Sequence, residues 1–268
     1  MYFSKMNQTR HIAAFMLLLL ALTAKSQDFR KYDKGSFNKK KDTISYRILF
    51  PENFDASKQY PILFFLHGSG ERGNNNEAQL THGGQLFLRE DIRKEFPAIV
   101  VFPQCSAESY WSNVNIITDS TGKRSFNFQE KGKPTKAMSA LLGMIDNFMD
   151  KPFIDRSRVY VAGLSMGGMG TYELLRRKPK LFAAAIAICG GDHVANVRRY
   201  KNVPLWIFHG EQDDVVPVVH STTISDQLKV LGKPARLTLY PTANHNSWDN
   251  AFAEPQLLPW LFSQEKKR

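Results

Sequence analysis

Cysteine is scarce in this chain: Cys105 and Cys189 are the only two in 268 residues. Two thiols do not make a disulfide scaffold, so even in an oxidising compartment the hydrophobic core must carry the stability. No apolar run reaches the ~20 residues that span a hydrocarbon core. Metal-ligand spacing, a dinucleotide-binding glycine fingerprint and a phosphate-binding glycine loop with its lysine are also absent, so neither metal nor cofactor is expected. No internal repeat or linker divides the chain, and 43% hydrophobic with 12% aromatic content is enough for one sizeable core.

The first 26 residues contain no acid. Lys5 and Arg10 precede the apolar run Ile12 to Leu22, and Ala24 and Ser26 follow at small-x-small spacing. This is the layout of a cleaved signal peptide, with the cut expected between Ser26 and Gln27 and delivery to the periplasm or the medium. Cleavage removes three cations and lowers the formal charge from +11 to +8. The remaining lysines, among them Lys39 to Lys41, Lys131, Lys133 and Lys136, lie in polar stretches without interleaved aromatics. They read as a solvated basic surface rather than a nucleic-acid site, and no stable membrane association is expected once the signal is removed.

Residues 27–41 show no apolar periodicity and read as a polar lead-in to a catalytic domain over residues 42–268. From there short apolar runs alternate with helical stretches. Strands are expected at Thr43 to Phe50, Pro61 to Leu66, Ala98 to Phe102, Arg158 to Ala162, Ala183 to Ile188, Pro204 to Phe208 and Ala235 to Tyr240. Helices are expected at Lys136 to Met149, Gly167 to Arg177, Val218 to Leu231 and Gln256 to Phe262. Several strands are apolar on both faces, as buried parallel strands must be, so the expected fold class is α/β, a mostly parallel doubly wound sheet with helices on both faces. The connection from Gly68 to Glu95 is long, polar and glycine-rich, and is expected to border a functional site.

Directly after the strand ending at Ala162 comes Gly163-Leu164-Ser165-Met166-Gly167-Gly168, followed by a helix. A serine between a buried strand and a helix, with glycine two residues away on each side, is the pattern of a nucleophile elbow. The turn strains the serine, lifts its hydroxyl above the sheet and puts a helix N-terminus beside any oxyanion that forms. In that architecture acid and base follow the serine in this order. The loop His209-Gly210-Glu211-Gln212-Asp213-Asp214 leaves three carboxylates competing for the acid. His245, on the loop after Arg236 to Tyr240, is the base by placement. His209 reads as a strand-end residue that satisfies loop backbone groups, and His220 as a solvent-facing residue at a helix start.

Five motifs in order resemble the esterase, carboxylesterase and phospholipase branch of the α/β-hydrolases, near polyhydroxybutyrate depolymerase-like and feruloyl-esterase-like proteins. They are Leu66-His67-Gly68-Ser69-Gly70-Glu71-Arg72-Gly73, Phe102-Pro103-Gln104-Cys105 with Trp111, the Ser165 elbow, His209-Gly210-Glu211-Gln212-Asp213, and His245-Asn246-Ser247-Trp248. The resemblance implies the α/β-hydrolase fold, Asp213 as the acid, and an oxyanion hole made by the backbone N–H groups of Ser69 and Met166. Trp111 and Trp248 are candidates for substrate binding, with core packing the competing role. Glu71 and Arg72 are read as an ion pair bracing the oxyanion loop or as exposed charge.

The expected function is a serine esterase acting on short-chain or aromatic acyl esters, small or polymer-linked, through an acyl-enzyme. Alternatives are a prolyl-oligopeptidase-like peptidase, for whose gating domain the chain has no room, and an acyltransferase. The alternative outside catalysis is an inactive hydrolase fold that serves as a binding module.

Overall fold

A computed structural model describes residues 28–39 and 42–266. The expected signal peptide lies outside the described residues. Ten strands are described: β1 (Asp33–Lys39), β2 (Asp42–Leu49), β3 (Tyr60–Leu66), β4 (Ile99–Gln104), β5 (Val114–Thr118), β6 (Arg124–Phe128), β7 (Ile154–Leu164), β8 (Ala184–Ile188), β9 (Leu205–Gly210) and β10 (Arg236–Tyr240). The helices are α1 (Gly84–Leu88), α2 (Glu90–Glu95), α3 (Lys136–Met149), α4 (Met166–Arg177), α5 (Val197–Tyr200), α6 (Val219–Val230), α7 (Trp248–Ala253) and α8 (Leu257–Ser263). Eight strands form one sheet in the order β1-β2-β4-β3-β7-β8-β9-β10, and β5 with β6 forms a separate hairpin. From β4 to β10 neighbouring strands of the large sheet run parallel, while β1 and β2 are antiparallel additions at one side.

Alternation along each strand divides the sheet into two cores. β3 sends Ile62, Phe64 and Leu66 into the core that α3, α4 and α6 cover. Its Leu63 and Phe65 point into the opposite core with residues of α1, α7 and α8. The parallel strands deliver their C-terminal ends to one edge, where open α/β sheets hold their ligands. Among the described residues no helix is long and apolar enough to cross a membrane.

Each expected strand and helix is present with ends shifted by a few residues, the largest shift being the early start of β7. The polar lead-in is a different matter, because Asp33–Lys39 is β1, paired with β2 from Asp33 opposite Ile48 onward. As an edge strand it has a partner on one side only, and polar residues suit such an edge, which is why no apolar periodicity marks it. Tyr32, just before it, is buried and donates its hydroxyl to the Gly84 carbonyl at 2.9 Å. The 68–95 connection is also more ordered than its composition suggests, since it carries α1 and α2 and buries Leu80, Phe87 and Leu88. Cys105 follows β4 and Cys189 follows β8, with β3 and β7 between them. Strands ~4.8 Å apart put the two thiols beyond bridging distance, and both are free and buried.

Candidate active site

β7 lies in the middle of the sheet, and Ser165 is the single residue between its end and the start of α4. Its backbone has φ 54° and ψ −119°, a region that non-glycine residues avoid. The turn holds because the Ser165 N–H donates to the Ile188 carbonyl at 2.9 Å. A Cβ on Gly163 would collide with the Gly167 carbonyl, and one on Gly167 with the Leu66 carbonyl, so the flanking glycines allow β3, β7 and α4 to meet. Met166 is the first residue of α4, where the helix leaves an N–H without an intrahelical acceptor.

Ser165 Oγ stands 2.9 Å from His245 Nε2, and His245 Nδ1 stands 2.8 Å from Asp213 Oδ2. The loops that carry Asp213 and His245 are tied to each other: the Gln212 N–H donates to the Ala243 carbonyl at 3.1 Å, and the Asp214 N–H to Asn244 Oδ1 at 3.2 Å. The base loop crosses so close to the end of β9 that a Cβ on Gly210 would strike the carbonyls of Ala243 and Asn244. That contact gives the glycine of the His209-Gly210 pair its physical reason.

Of the three competing carboxylates, Asp213 is the buried one, and Glu211 and Asp214 are exposed. Oδ1 of Asp213 accepts the N–H groups of Val215 and Val216 at 2.9 and 2.8 Å. Oδ2 faces His245 Nδ1 and also His209 Nε2, 3.2 Å away. Burial works to raise this carboxyl's pKa, but the hydrogen bonds from His209, His245 and Val216 outweigh it and hold the group far below the ordinary carboxylate range. His209 therefore does more than satisfy loop backbone. Its Nδ1 meets the buried Ser221 hydroxyl at 2.7 Å and its Nε2 the Val216 carbonyl at 2.8 Å, which fixes its ring against the acid. This contact goes beyond the strand-end role expected of His209, and the one trace it leaves in the sequence is the i,i+4 spacing to Asp213.

Gly68 borders Ser165, since a Cβ there would lie 3.8 Å from Ser165 Cβ, and Ser69 follows it. Buried His67 anchors this loop from below. Its Nε2 accepts the Cys105 N–H at 2.9 Å, so the ring proton sits on Nδ1 and is donated to the Gly68 carbonyl at 2.6 Å. Burial pushes the His67 pKa down to about 4. No Glu71–Arg72 ion pair is formed, because the Arg72 guanidinium turns to the carbonyls of Ser69, Ala107 and Ser109. Glu71 faces His82 instead.

Trp111 is removed from the candidate substrate-binding residues. It is completely buried, its indole N–H donates to the His67 carbonyl at 3.2 Å, and its ring packs on His67. It braces the loop under Gly68 and has no surface to offer a substrate. Trp248 is half-buried with its ring edge-on to His245 at 5.4 Å, and it remains a candidate. His220, expected at the surface, is partly buried between Phe126 and Phe128 of the β5–β6 hairpin, and burial lowers its pKa. The hairpin itself is not among the expected strands.

Cys189 Sγ and ligand atoms of Asp213 and His245 lie within 4.8 Å of one another. A soft cation could use this set only at the expense of the Asp213–His245 hydrogen bond, so the geometry favours proton transfer over metal binding.

Comparison with known proteins adds a lineage to this geometry. The chain is 24% identical over 182 residues to a probable feruloyl esterase C of Aspergillus oryzae, covering 68% of this chain and 59% of that protein. It is 23% identical to a probable dipeptidyl-peptidase 5 of Aspergillus terreus, covering 86% of this chain and 34% of the peptidase. Among solved structures, a thermostable esterase superposes with a TM-score of 0.78 at 33% identity, covering 89% of this chain and 64% of that one. The chain thus spans less than two thirds of the length of each of these proteins. The family model for phospholipase/carboxylesterase matches residues 54–256, a stretch that takes in the Gly68 loop, the Ser165 turn and both the Asp213 and His245 loops. A match across most of the chain and the whole of this constellation makes the chain a member of the phospholipase/carboxylesterase family, with the α/β-hydrolase fold.

Proposed function

We propose that the protein is a serine carboxylic ester hydrolase. The carrying observation is the unbroken hydrogen-bonded series Ser165 Oγ, His245 Nε2, His245 Nδ1, Asp213 Oδ2 on a strained strand-to-helix turn. In this reading His245 takes the Ser165 proton as Oγ attacks the ester carbonyl, and Asp213 stabilises the imidazolium. The N–H groups of Met166 and Ser69 receive the oxyanion, a contribution of ~3 kcal/mol for each donor. His245 then protonates the departing alkoxide, and a water activated by the same imidazole resolves the acyl-enzyme. No metal or cofactor enters these steps.

The substrates proposed are soluble or polymer-linked esters of short-chain or aromatic acids, met in the periplasm or the medium after cleavage near Ser26-Gln27. Support for the acyl range is that Leu80, Phe87 and Leu88 of the 68–95 connection are buried in the core and do not form an apolar cover of the kind that opens on lipid. The feruloyl esterase relative supports an aromatic acyl group. Activity on p-nitrophenyl acetate or butyrate should exceed that on palmitate by at least about tenfold, or ~1.4 kcal/mol in transition-state binding. A rate rising steadily to palmitate would overturn the substrate reading.

Ser165→Ala should abolish turnover and labelling by an organophosphonate while the protein stays folded. Undiminished labelling would end the nucleophile assignment. The dipeptidyl-peptidase relative keeps one rival in play. Dipeptidyl p-nitroanilides cleaved faster than p-nitrophenyl butyrate would replace the esterase reading with a peptidase.

A further inference from the structure

Beside the nucleophile sits a second carboxylate that the proposed mechanism does not use. The place a Cβ on Gly68 would take is 3.0 Å from Glu71 Oε2, 3.1 Å from Leu164 Cδ1 and 3.8 Å from Ser165 Cβ, so the carboxylate and Ser165 both border Gly68. The Glu71 side chain is only 13% exposed, yet among the described residues its carboxylate accepts no hydrogen bond. The side chain facing it is His82, whose Nε2 lies 3.7 Å from Oε1. Arg72, the adjacent cation, is spent on the carbonyls of Ser69, Ala107 and Ser109. The wall continues from His82, whose ring lies 5.0 Å from Trp248, to Trp248, whose ring lies 5.4 Å from His245.

Two physical points follow. A carboxylate beside Gly68, on the loop that is proposed to receive the oxyanion, repels that charge, so it does not help the hydrolysis of a plain ester. Its oxygens keep some access to solvent and no protein donor among the described residues occupies them, so their lone pairs are open to a hydroxyl of a bound substrate. His245 must protonate the leaving alcohol, and the contacts run from His245 to Trp248, from Trp248 to His82 and from His82 to Glu71, which puts Glu71 in line with the alcohol portion of the substrate.

The geometry points to Glu71 as a specificity residue for the alcohol portion of the substrate. It accepts a hydrogen bond from a hydroxyl of a neutral polyol or sugar, which rests on Trp248, and it repels an alcohol bearing a carboxylate or phosphate. The inference rests on the ester-hydrolase reading and narrows it: neutral hydroxyl-rich esters are substrates and phosphate-bearing ones are poor.

Three butyrate esters differing only in the alcohol test it: ethyl, 2-hydroxyethyl and 2-carboxyethyl. Wild type should give kcat/KM in the order hydroxyethyl, ethyl, carboxyethyl, with the anionic ester at least about tenfold below ethyl. Glu71→Gln keeps an acceptor oxygen but removes the charge, so it should raise carboxyethyl relative to ethyl by about tenfold and retain most of the hydroxyl preference. Glu71→Leu should erase both preferences. Should the leucine variant fail to fold, the glutamine variant alone reads the charge effect. Ratios that stay the same in a folded Glu71→Gln protein would overturn the inference and leave the esterase reading standing. A folded wild type that turns over none of the three esters, with Ser165 unlabelled by phosphonate, would end both.

Discussion

His209 Nε2 lies 3.2 Å from Asp213 Oδ2, the same oxygen that meets His245 Nδ1 at 2.8 Å. The Asp213 carboxylate is therefore held between two imidazoles, one facing Ser165 and one wholly buried. Removing the buried one, as in His209→Leu, takes a donor from the carboxylate and makes it more basic. A more basic Asp213 holds the protonated form of His245 more tightly, so the acidic limb of kcat/KM should move to higher pH, with the plateau rate down about tenfold. The lost partners of Ser221 and Val216 should also cost about 1–3 kcal/mol of stability. A pH profile together with thermal melting checks both. An unmoved limb would mean that the N–H groups of Val215 and Val216 set the acid alone.

Asp213 and Asp214 are neighbours in sequence and differ in surroundings, since only Asp213 is buried and reaches His245. Asp213→Asn should lower kcat by about 10⁴-fold, because the amide no longer stabilises the imidazolium or selects its tautomer. Asp214→Asn should cost less than about threefold. The reverse ranking would move the acid to Asp214.

The two tryptophans singled out from the sequence should separate cleanly. Trp111→Ala empties a fully buried site and should destabilise the fold by about 3–5 kcal/mol. Trp248→Ala should leave the melting temperature within a few degrees while lowering kcat/KM, because the ring flanks His245 at the surface of the site. Denaturant melts and ester kinetics on the two variants decide it.

His67 should leave a signature in the pH dependence of stability. Its pKa is 6.5 in the unfolded chain and about 4 in the fold. Between these values the unfolded chain binds a proton that the folded one refuses, so this contribution is intact above about pH 6.5. It falls as pH drops toward 4 and levels off below, for a loss of up to roughly 3 kcal/mol. Asp192 acts with the opposite sign, because burial raises its carboxyl to about 6 from 3.8 and favours the folded state as pH falls through that window. Subtracting the curve of His67→Gln from that of wild type cancels the Asp192 part, and the difference should decline only between about pH 6.5 and 4. A flat difference would show that the imidazole is protonated in the fold.

How far the site was readable depended on whether its parts leave a local pattern. The Ser165 turn is legible because two steric collisions demand glycine at fixed spacing around one strained residue. His245 is legible from chain order, and the large helices α3 and α4 from their periodicity. Strand β1 is not, since an edge strand with one partner needs no apolar stripe. The β5–β6 hairpin is not either, and it buries Phe128 against Met169 and Val216, residues remote from it in sequence.

Thus the amino-acid order alone determined the alternating strand and helix pattern, the strained turn at Ser165 and the placing of His245 after a loop with three carboxylates, each of which rests on spacing along the chain, while the choice of Asp213 among those carboxylates needed the fold. Only the tertiary structure decided that Trp111 is core and Trp248 is not, that Arg72 holds carbonyls rather than Glu71, and that His209 shares the Asp213 oxygen with His245. These are matters of burial and of contacts between distant segments. A side chain's burial and partners are set by which elements the fold brings against it, and residue type and spacing do not specify that.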